Sequence, residues 1–435
     1  MREQPMTNYE GWKDYQARLQ QQKNRKDLLK KGICFFPLLL IAVLGVQFIR
    51  VSLSTGHHEN SSELTDPVTE QQAEAVPGFD KKKLRSILDT HVLCASTGGM
   101  IDLDYSGDTL SIETTLDRGL QDFMSEQVRD SLSPIIAFVA IDPATGRVLS
   151  MVESRKADIQ NNQFPAASIF KIVTAAAAIE GCNMSGDTTL AYNGRSHTLY
   201  KNQLKDRTNR YTNKVSLKES FAKSINPVFG KLGILRLKKE LLEEYAARFG
   251  FNQPIDFELI VEPSTILVGD DPYHWAELAC GFNRETLISP LHGAMIASVI
   301  SNSGTLVQPT IVEYVVDSQS APVYVGGDRT VRKIISRKTS DELKKMMVST
   351  VRSGTSKRTF KGYRKDPVLS NLVIGGKTGS INNRTCELRY DWFVGFCEEK
   401  TGPRKLAIAV LVVHDRLLRK KAGEFARLAM KRYFS

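Results

Sequence analysis

From the N-terminus, the first strong pattern of hydrophobic and polar positions is an uncharged run, Gly32 to Ile49, between polar flanks. As a helix rising about 1.5 Å per residue, its 18 residues are just long enough to span a hydrocarbon core. Residues 54–76 are rich in Ser, Thr, Glu and Gln, have little to bury and read as a flexible tether. A short helix is predicted from Phe79 to Cys94. Thr109 to Thr115 alternates as a strand does, and Asp117 to Asp130 reads as a helix. Two apolar runs flank Asp142-Pro-Ala-Thr-Gly146, so 135–152 reads as strand, turn, strand. From Pro165, a good residue at which to leave a loop, the chain is apolar on nearly all sides to Glu180, which predicts a buried helix.

The rest of the pattern alternates between helices and strands. Residues 183–215 are polar and loop-rich, and Leu217 to Gly233 is a helix that Pro227 should bend or restart. Lys238 to Phe249 is a charged helix with a solvated face, Pro290 to Ser301 a helix of small residues, and Ser340 to Val351 another helix. Leu372–Ser380, Tyr390–Phe396 and Leu406–Val413 read as strands. A basic helix over 416–433 follows, whose Phe425, Leu428, Ala429 and Phe434 should pack on the sheet. With the 135–152 pair this makes five strands, mostly hairpin-connected and so antiparallel. The fold class expected is α/β of the α+β type, a five-stranded antiparallel sheet flanked by helices, behind one N-terminal transmembrane helix.

Charge gives the apolar run an orientation. Before it, eight Lys/Arg face four acids, a net of +4, and after it stand Glu59, Glu63, Asp66, Glu70, Glu74 and Asp80. Positive charge on the near side places the N-terminus in the cytoplasm and everything after Arg50 outside the inner membrane. A lead of 31 residues is long for a cleaved signal and no Ala-x-Ala site follows, so an uncleaved single-pass anchor is expected. The expected division is 1–31 cytoplasmic tail, 32–49 anchor, 50–108 tether and short connecting segment, and 109–435 catalytic domain.

Composition excludes more than it assigns. A chain of 435 residues with 41% hydrophobic content can bury a sizeable core. The net charge of +11 is spread along the chain without a nucleic-acid motif, so nucleic acid is not an expected partner, whereas an anionic lipid or polymer surface fits. The six cysteines make no Cys-x-x-Cys pair and the seven histidines no His-x-x-x-His, so neither a metal nor a cofactor is expected. Outside the apolar run five cysteines remain, an odd number, and Cys386 with Cys397 is the expected pair.

Candidate chemistry begins with Ser168 and Lys171. Three residues apart on a helix they share a face, and a buried lysine amine of lowered pKa can take a serine proton. Alone the spacing is weak, since Ser220 and Lys223 repeat it. Two further short motifs follow in order, Ser224-Ile-Asn226 and Lys377-Thr-Gly379. This triplet, on helix, loop and strand of an exported domain, resembles the penicillin-binding proteins and serine β-lactamases. The likeness extends to Ala140–Met151, Ile288-Ser-Pro-Leu291, Ser301–Pro309, Val351–Thr355 and Trp392–Gly395, over roughly 110–435, about three quarters of the chain.

The resemblance, to a monofunctional class B-like member with a single anchor, implies a helical subdomain beside the sheet and an active site between them. It implies that Ser168 forms an acyl-enzyme, Lys171 deprotonates it and Ser224 passes a proton to the leaving amine. It further implies that Asn226 holds the substrate amide, and that Lys377, Thr378, Gly379 and Ser380 form the substrate-binding strand, Lys377 and Thr378 taking the terminal carboxylate. Backbone N–H groups of Ser168 and Ser380 would form the oxyanion hole. The implied substrate is the D-Ala-D-Ala end of a peptidoglycan stem peptide, cross-linked by D,D-transpeptidation, with β-lactams as covalent mimics. A D,D-carboxypeptidase, a β-lactamase or a non-catalytic scaffold stay open, although no Glu-x-x-Leu-Asn lies between Ser224 and Lys377. Only about 60 residues separate anchor and domain, where monofunctional transpeptidases usually carry a large pedestal. A glycosyltransferase or another wall-synthesis protein is left open as a partner.

Overall fold

Three consecutive apolar strands and one earlier hairpin build the sheet on which everything else is mounted. The computed structural model describes residues 79–88, 100–105, 107–154, 163–326, 330–415 and 417–435. The expected cytoplasmic tail, the Gly32–Ile49 run and the 54–76 tether lie outside the described residues. Among the described residues no helix is long and apolar enough to cross a membrane.

In chain order the elements used below are α1 (Lys81–Ile87), β1 (Met100–Tyr105), β2 (Asp108–Thr114), α2 (Arg118–Arg129), β3 (Ile135–Ile141) and β4 (Val148–Glu153). A 3₁₀ turn, Ala167–Phe170, runs straight into α3 (Lys171–Gly181). Then come α4 (Leu217–Ala222), α5 (Asn226–Leu232), α6 (Lys238–Arg248), α7 (Pro272–Cys280) and α8 (Pro290–Ser301). They are followed by β5 (Val312–Val316), β6 (Pro322–Val325) and α9 (Arg337–Arg352). The chain closes with β7 (Leu372–Asn382), β8 (Arg389–Glu399), β9 (Lys405–His414) and α10 (Ala422–Phe434).

The main sheet has the order β7-β8-β9-β3-β4, every pair antiparallel, as hairpin connections require. Its side chains alternate between two cores with the period of two that a strand imposes. Along β8, Trp392, Val394 and Phe396 face the core shared with α3, α8 and α9. Phe393 and Cys397 face the opposite core, shared with α2 and α10. Helix α8 is buried on all sides because its small residues let it lie close to the sheet, Gly293 lying against Ala409 and Val394. Helix α10 packs through Phe425, Ala426, Ala429 and Met430. It begins at Ala422 rather than near 416, because the Ala422 N–H is held by the Asp391 carboxylate at 3.0 Å and the chain before it turns with Leu417 and Leu418 exposed.

Two expectations are revised. The boundary at 109 falls inside a hairpin, since β1 pairs with β2 along its whole length in a second sheet, β1-β2-β5-β6. Helix α1 also docks, with Leu84 fully buried and Lys81 and Arg85 holding Asp256 at 2.9 and 2.6 Å. The folded unit therefore reaches back before 109. Second, Cys386 and Cys397 are both free. Cys386 is exposed in the turn joining β7 to β8, whereas Cys397 pairs with Ile374 at the far end of the strand. At about 3.4 Å per residue along β8 they are more than roughly 25 Å apart, far beyond disulfide reach. Cys386→Ser should accordingly leave the thermal midpoint of non-reduced protein unchanged by calorimetry, where loss of a disulfide would remove about 2–4 kcal/mol.

Candidate active site

The 3₁₀ turn at Ala167–Phe170 presents Ser168, and the first α-helical residue after it is Lys171. Lys171 is fully buried, and its Nζ stands 2.8 Å from Ser168 Oγ. It donates to Asn226 Oδ1 at 2.8 Å and to the Cys280 carbonyl at 2.5 Å. Asn226 Nδ2 donates to the His197 carbonyl, which fixes its oxygen toward the lysine. Burial lowers the Lys171 pKa from 10.5 to about 8, the field of the Cys280 thiol opposing it weakly. A neutral amine has two N–H groups and one lone pair. Asn226 Oδ1 and the Cys280 carbonyl can only accept, so they absorb the two N–H groups and leave the lone pair to the Ser168 hydroxyl. That is the arrangement a general base needs.

Pro227 restarts the helix, as its position in the sequence predicts, and the break it makes holds Ser224. Ser224 has φ +54°, a left-handed conformation that costs a non-glycine residue about 1–3 kcal/mol and clusters at functional sites. Its Oγ accepts from Lys377 Nζ at 3.0 Å. Lys377 is also fully buried and donates to the Thr378 carbonyl at 2.9 Å. Burial, reinforced by the Lys171 amine nearby, holds its pKa well below the ordinary lysine value. Lys377 thus points behind Ser224 rather than out into the cleft, and Asn226 has both polar ends engaged with Lys171 and His197. Thr378 does face the cleft, its Oγ1 2.6 Å from Thr355 Oγ1.

Strand β7 is the edge of the sheet, so part of its N–H and C=O groups face away from β8. The nucleophile turn lies against it: a side chain at Gly379 would meet Ile169 Cγ1 at 3.1 Å and the Ala166 carbonyl at 3.2 Å. Trp392 Nε1 donates to the Pro165 carbonyl at 3.0 Å and ties the loop before the turn to the sheet. Ser168, Ser224, Asn226, Thr378 and Ser380 line one cleft of about 480 Å³. The decoy pair does not join it: Ser220 is buried against the Ser216 carbonyl, and Lys223 pairs with Glu219 at 2.6 Å. Of the eight residues singled out in the sequence, Ser168, Ser224, Asn226, Thr378 and Ser380 line the cleft, while Lys171 and Lys377 are bonded to Ser168 and Ser224 and Gly379 lies against the Ser168 turn. The sequence reading missed the Cys280 carbonyl, His197, Arg358, Arg389, Asp391 and Lys421, which reach the site only through long-range folding.

Behind Ser168 lies Gly281, at φ +66°. A β-carbon there would stand 1.9 Å from the Ala167 oxygen and 2.9 Å from the Ser168 nitrogen. Gly362 has φ +80° and nothing within 4 Å of such a carbon, so it measures the backbone cost alone. Gly362→Ala should lose about 1–2 kcal/mol in urea unfolding, and Gly281→Ala at least about 2 kcal/mol more. Equal losses would mean that the nucleophile turn yields freely.

The sequence profile of the penicillin binding protein transpeptidase domain matches residues 136–431. Peptidoglycan D,D-transpeptidase PbpA of Mycobacterium tuberculosis is 26% identical over 326 residues, 65% of this chain and 62% of that protein. The chain thus spans about three fifths of the length of that relative. Among solved structures, the D,D-transpeptidase domain of a peptidoglycan glycosyltransferase from Eggerthella lenta superposes with a TM-score of 0.62 at 21% identity, over 78% of this chain and 84% of that one. Penicillin-binding protein A from M. tuberculosis, solved as a penicillin G acyl-enzyme complex, gives 0.58 at 24% identity, over 74% and 80%. These two share the fold. With the profile match covering most of the chain, and three motifs gathered in one cleft, the chain belongs to the penicillin-binding protein transpeptidase domain family.

Proposed function

We propose that this chain is a membrane-anchored serine D,D-transpeptidase that cross-links peptidoglycan stem peptides. In this reading Gly32–Ile49 is a single inner-membrane span, the N-terminus is cytoplasmic and the catalytic domain faces the wall. The observation that carries the reading is the buried Lys171 amine 2.8 Å from Ser168 Oγ, with its two N–H groups spent on Asn226 and Cys280. Lys171 takes the Ser168 proton as Oγ attacks the carbonyl of the penultimate D-Ala. The negative oxygen of the tetrahedral intermediate faces the N–H groups of Ser168 and Ser380, a stabilisation whose single donors are each worth about 10²–10³ in rate. Collapse breaks the peptide bond, and the leaving D-Ala amine takes a proton from Ser224, which Lys377 backs and which recovers a proton from the Lys171 ammonium, leaving both groups as they began. The ester on Ser168 then passes to an acceptor amine, which restores the serine. A β-lactam enters at the same step, and its ester persists.

Fluorescent penicillin on the full chain tests this. A stable covalent label is expected, absent in Ser168→Ala and retained in Ser220→Ala. Fast release of the label would mean a β-lactamase, and no label a scaffold. Because the base must be the neutral amine, the labelling rate should rise about tenfold per pH unit below pH 8 and level off above it. A flat profile between pH 6 and 8 would remove Lys171 from the role of base.

A further inference from the structure

The cleft that holds Ser168 and Ser224 is also lined by cations. Arg358, Arg389 and Lys421 are exposed and line it, and Asp391 is the carboxylate among the lining residues. Asp391 is already engaged: it accepts from the Ala422 N–H at 3.0 Å and from Ser380 Oγ at 3.4 Å, and it faces the buried His414 Nε2 at 3.8 Å. Arg389 spends two N–H groups on Ser380 Oγ, both at 3.1 Å, which holds its guanidinium beside the edge strand. Arg358 and Lys421 come from distant parts of the chain. They are brought to one side by the packing of Gly423 on Thr359, where an added β-carbon would meet Thr359 Cγ2 at 3.1 Å. Among the described residues no carboxylate stands within ion-pairing distance of these three cations. On a convex surface such cations need no partner. Three of them in one concavity raise the local concentration of an anion and select for its charge.

The reaction proposed above accounts for one negative charge. The terminal carboxylate of the donor belongs at the Thr378 and Thr355 hydroxyls, in front of buried Lys377, on the catalytic side of the strand. Arg389 is bonded to Ser380 Oγ, two residues further along β7, and Arg358 and Lys421 line the same cleft. We propose that they form a specificity site for a second carboxylate, carried by the stem peptide upstream of the scissile bond. Such a group is a free carboxylate on a diamino dicarboxylic residue or on a γ-linked glutamate. Arg supplies the planar fork that binds a carboxylate through two N–H groups, which suits this role. The inference rests on the transpeptidase reading, because it assumes that the cleft takes a stem peptide.

The test uses the full chain and three soluble pentapeptides ending in D-Ala-D-Ala. One has both upstream carboxylates free, one has the diamino residue amidated, and one has the glutamate amidated. Each competes with fluorescent penicillin for Ser168, and the concentration that halves the labelling rate is read. One of the two amidations should raise that concentration about tenfold, the scale of one lost charge-assisted contact, and which one does so identifies the source of the carboxylate. In an Arg358→Gln, Arg389→Gln double variant the ratio between free and amidated peptide should fall below about twofold. Taking the ratio within each protein cancels any general loss of acylation in the variant. Equal competition by all three peptides, no competition by any, or a preference that survives the double variant overturns the inference. Absence of penicillin labelling in the native chain is a separate outcome, which removes the proposed function and this inference with it.

Discussion

The burial of one amine organises this site. Lys171 sits where water does not reach, at the start of a helix that is apolar all round, and every direction its nitrogen offers is filled. Three elements distant in sequence supply the partners: the 3₁₀ turn, the restarted helix α5 and the last carbonyl of α7. An unpaired buried ammonium would cost several kcal/mol, so the three must close on it together. The amine answers by losing affinity for its proton, which is what a base acting on serine requires. Packing and chemistry are here one constraint.

Strain marks the same place. Ala167 and Ser224, the residues that enter the two serine-bearing turns, hold φ values of +48° and +54°. Neither is glycine, and the surrounding structure must over-determine both. It does so from the sheet side: Trp392 holds the Pro165 carbonyl, Thr286 the Ala166 N–H, and Gly379 lets β7 touch the turn directly. The sheet is therefore a template as well as a core. Its edge strand carries the cleft-facing Thr378 and Ser380, and its buried face fixes how far the Ser168 turn stands from that edge.

The cleft divides its charges by depth. The two lysines of the motifs are buried, and loss of water first, with the field of Lys171 on Lys377 second, favours their neutral amines. Arg358, Arg389 and Lys421 line the same cleft but are exposed. Side chains of one chemical class, Lys and Arg, are thus divided around the cleft by burial.

The antiparallel sense of the hairpin-connected strands and the helix entered at Ser168 were legible in the sequence because each depends on local periodicity and short connections, whereas the pairing of β9 with β3, about 270 residues apart, was not. The three motifs could be picked out of the sequence because the spacing inside each is local: a helical turn places Ser168 beside Lys171, and Pro227 has to restart a helix after Ser224. What the sequence alone did not show is whatever forms between distant segments. The β1-β2-β5-β6 sheet joins strands some 200 residues apart. The Cys280 carbonyl carries no side-chain signal at all. Cys386 lies in the hairpin turn and Cys397 at the far end of β8, a matter of strand register that spacing alone does not reveal. Lys377 is a cation by composition, and only its burial behind Ser224 decides that it faces a hydroxyl rather than solvent. Sequence determined which groups are present and which neighbours share a face. Tertiary structure decided which of them lose their water, and with it their charge and their role.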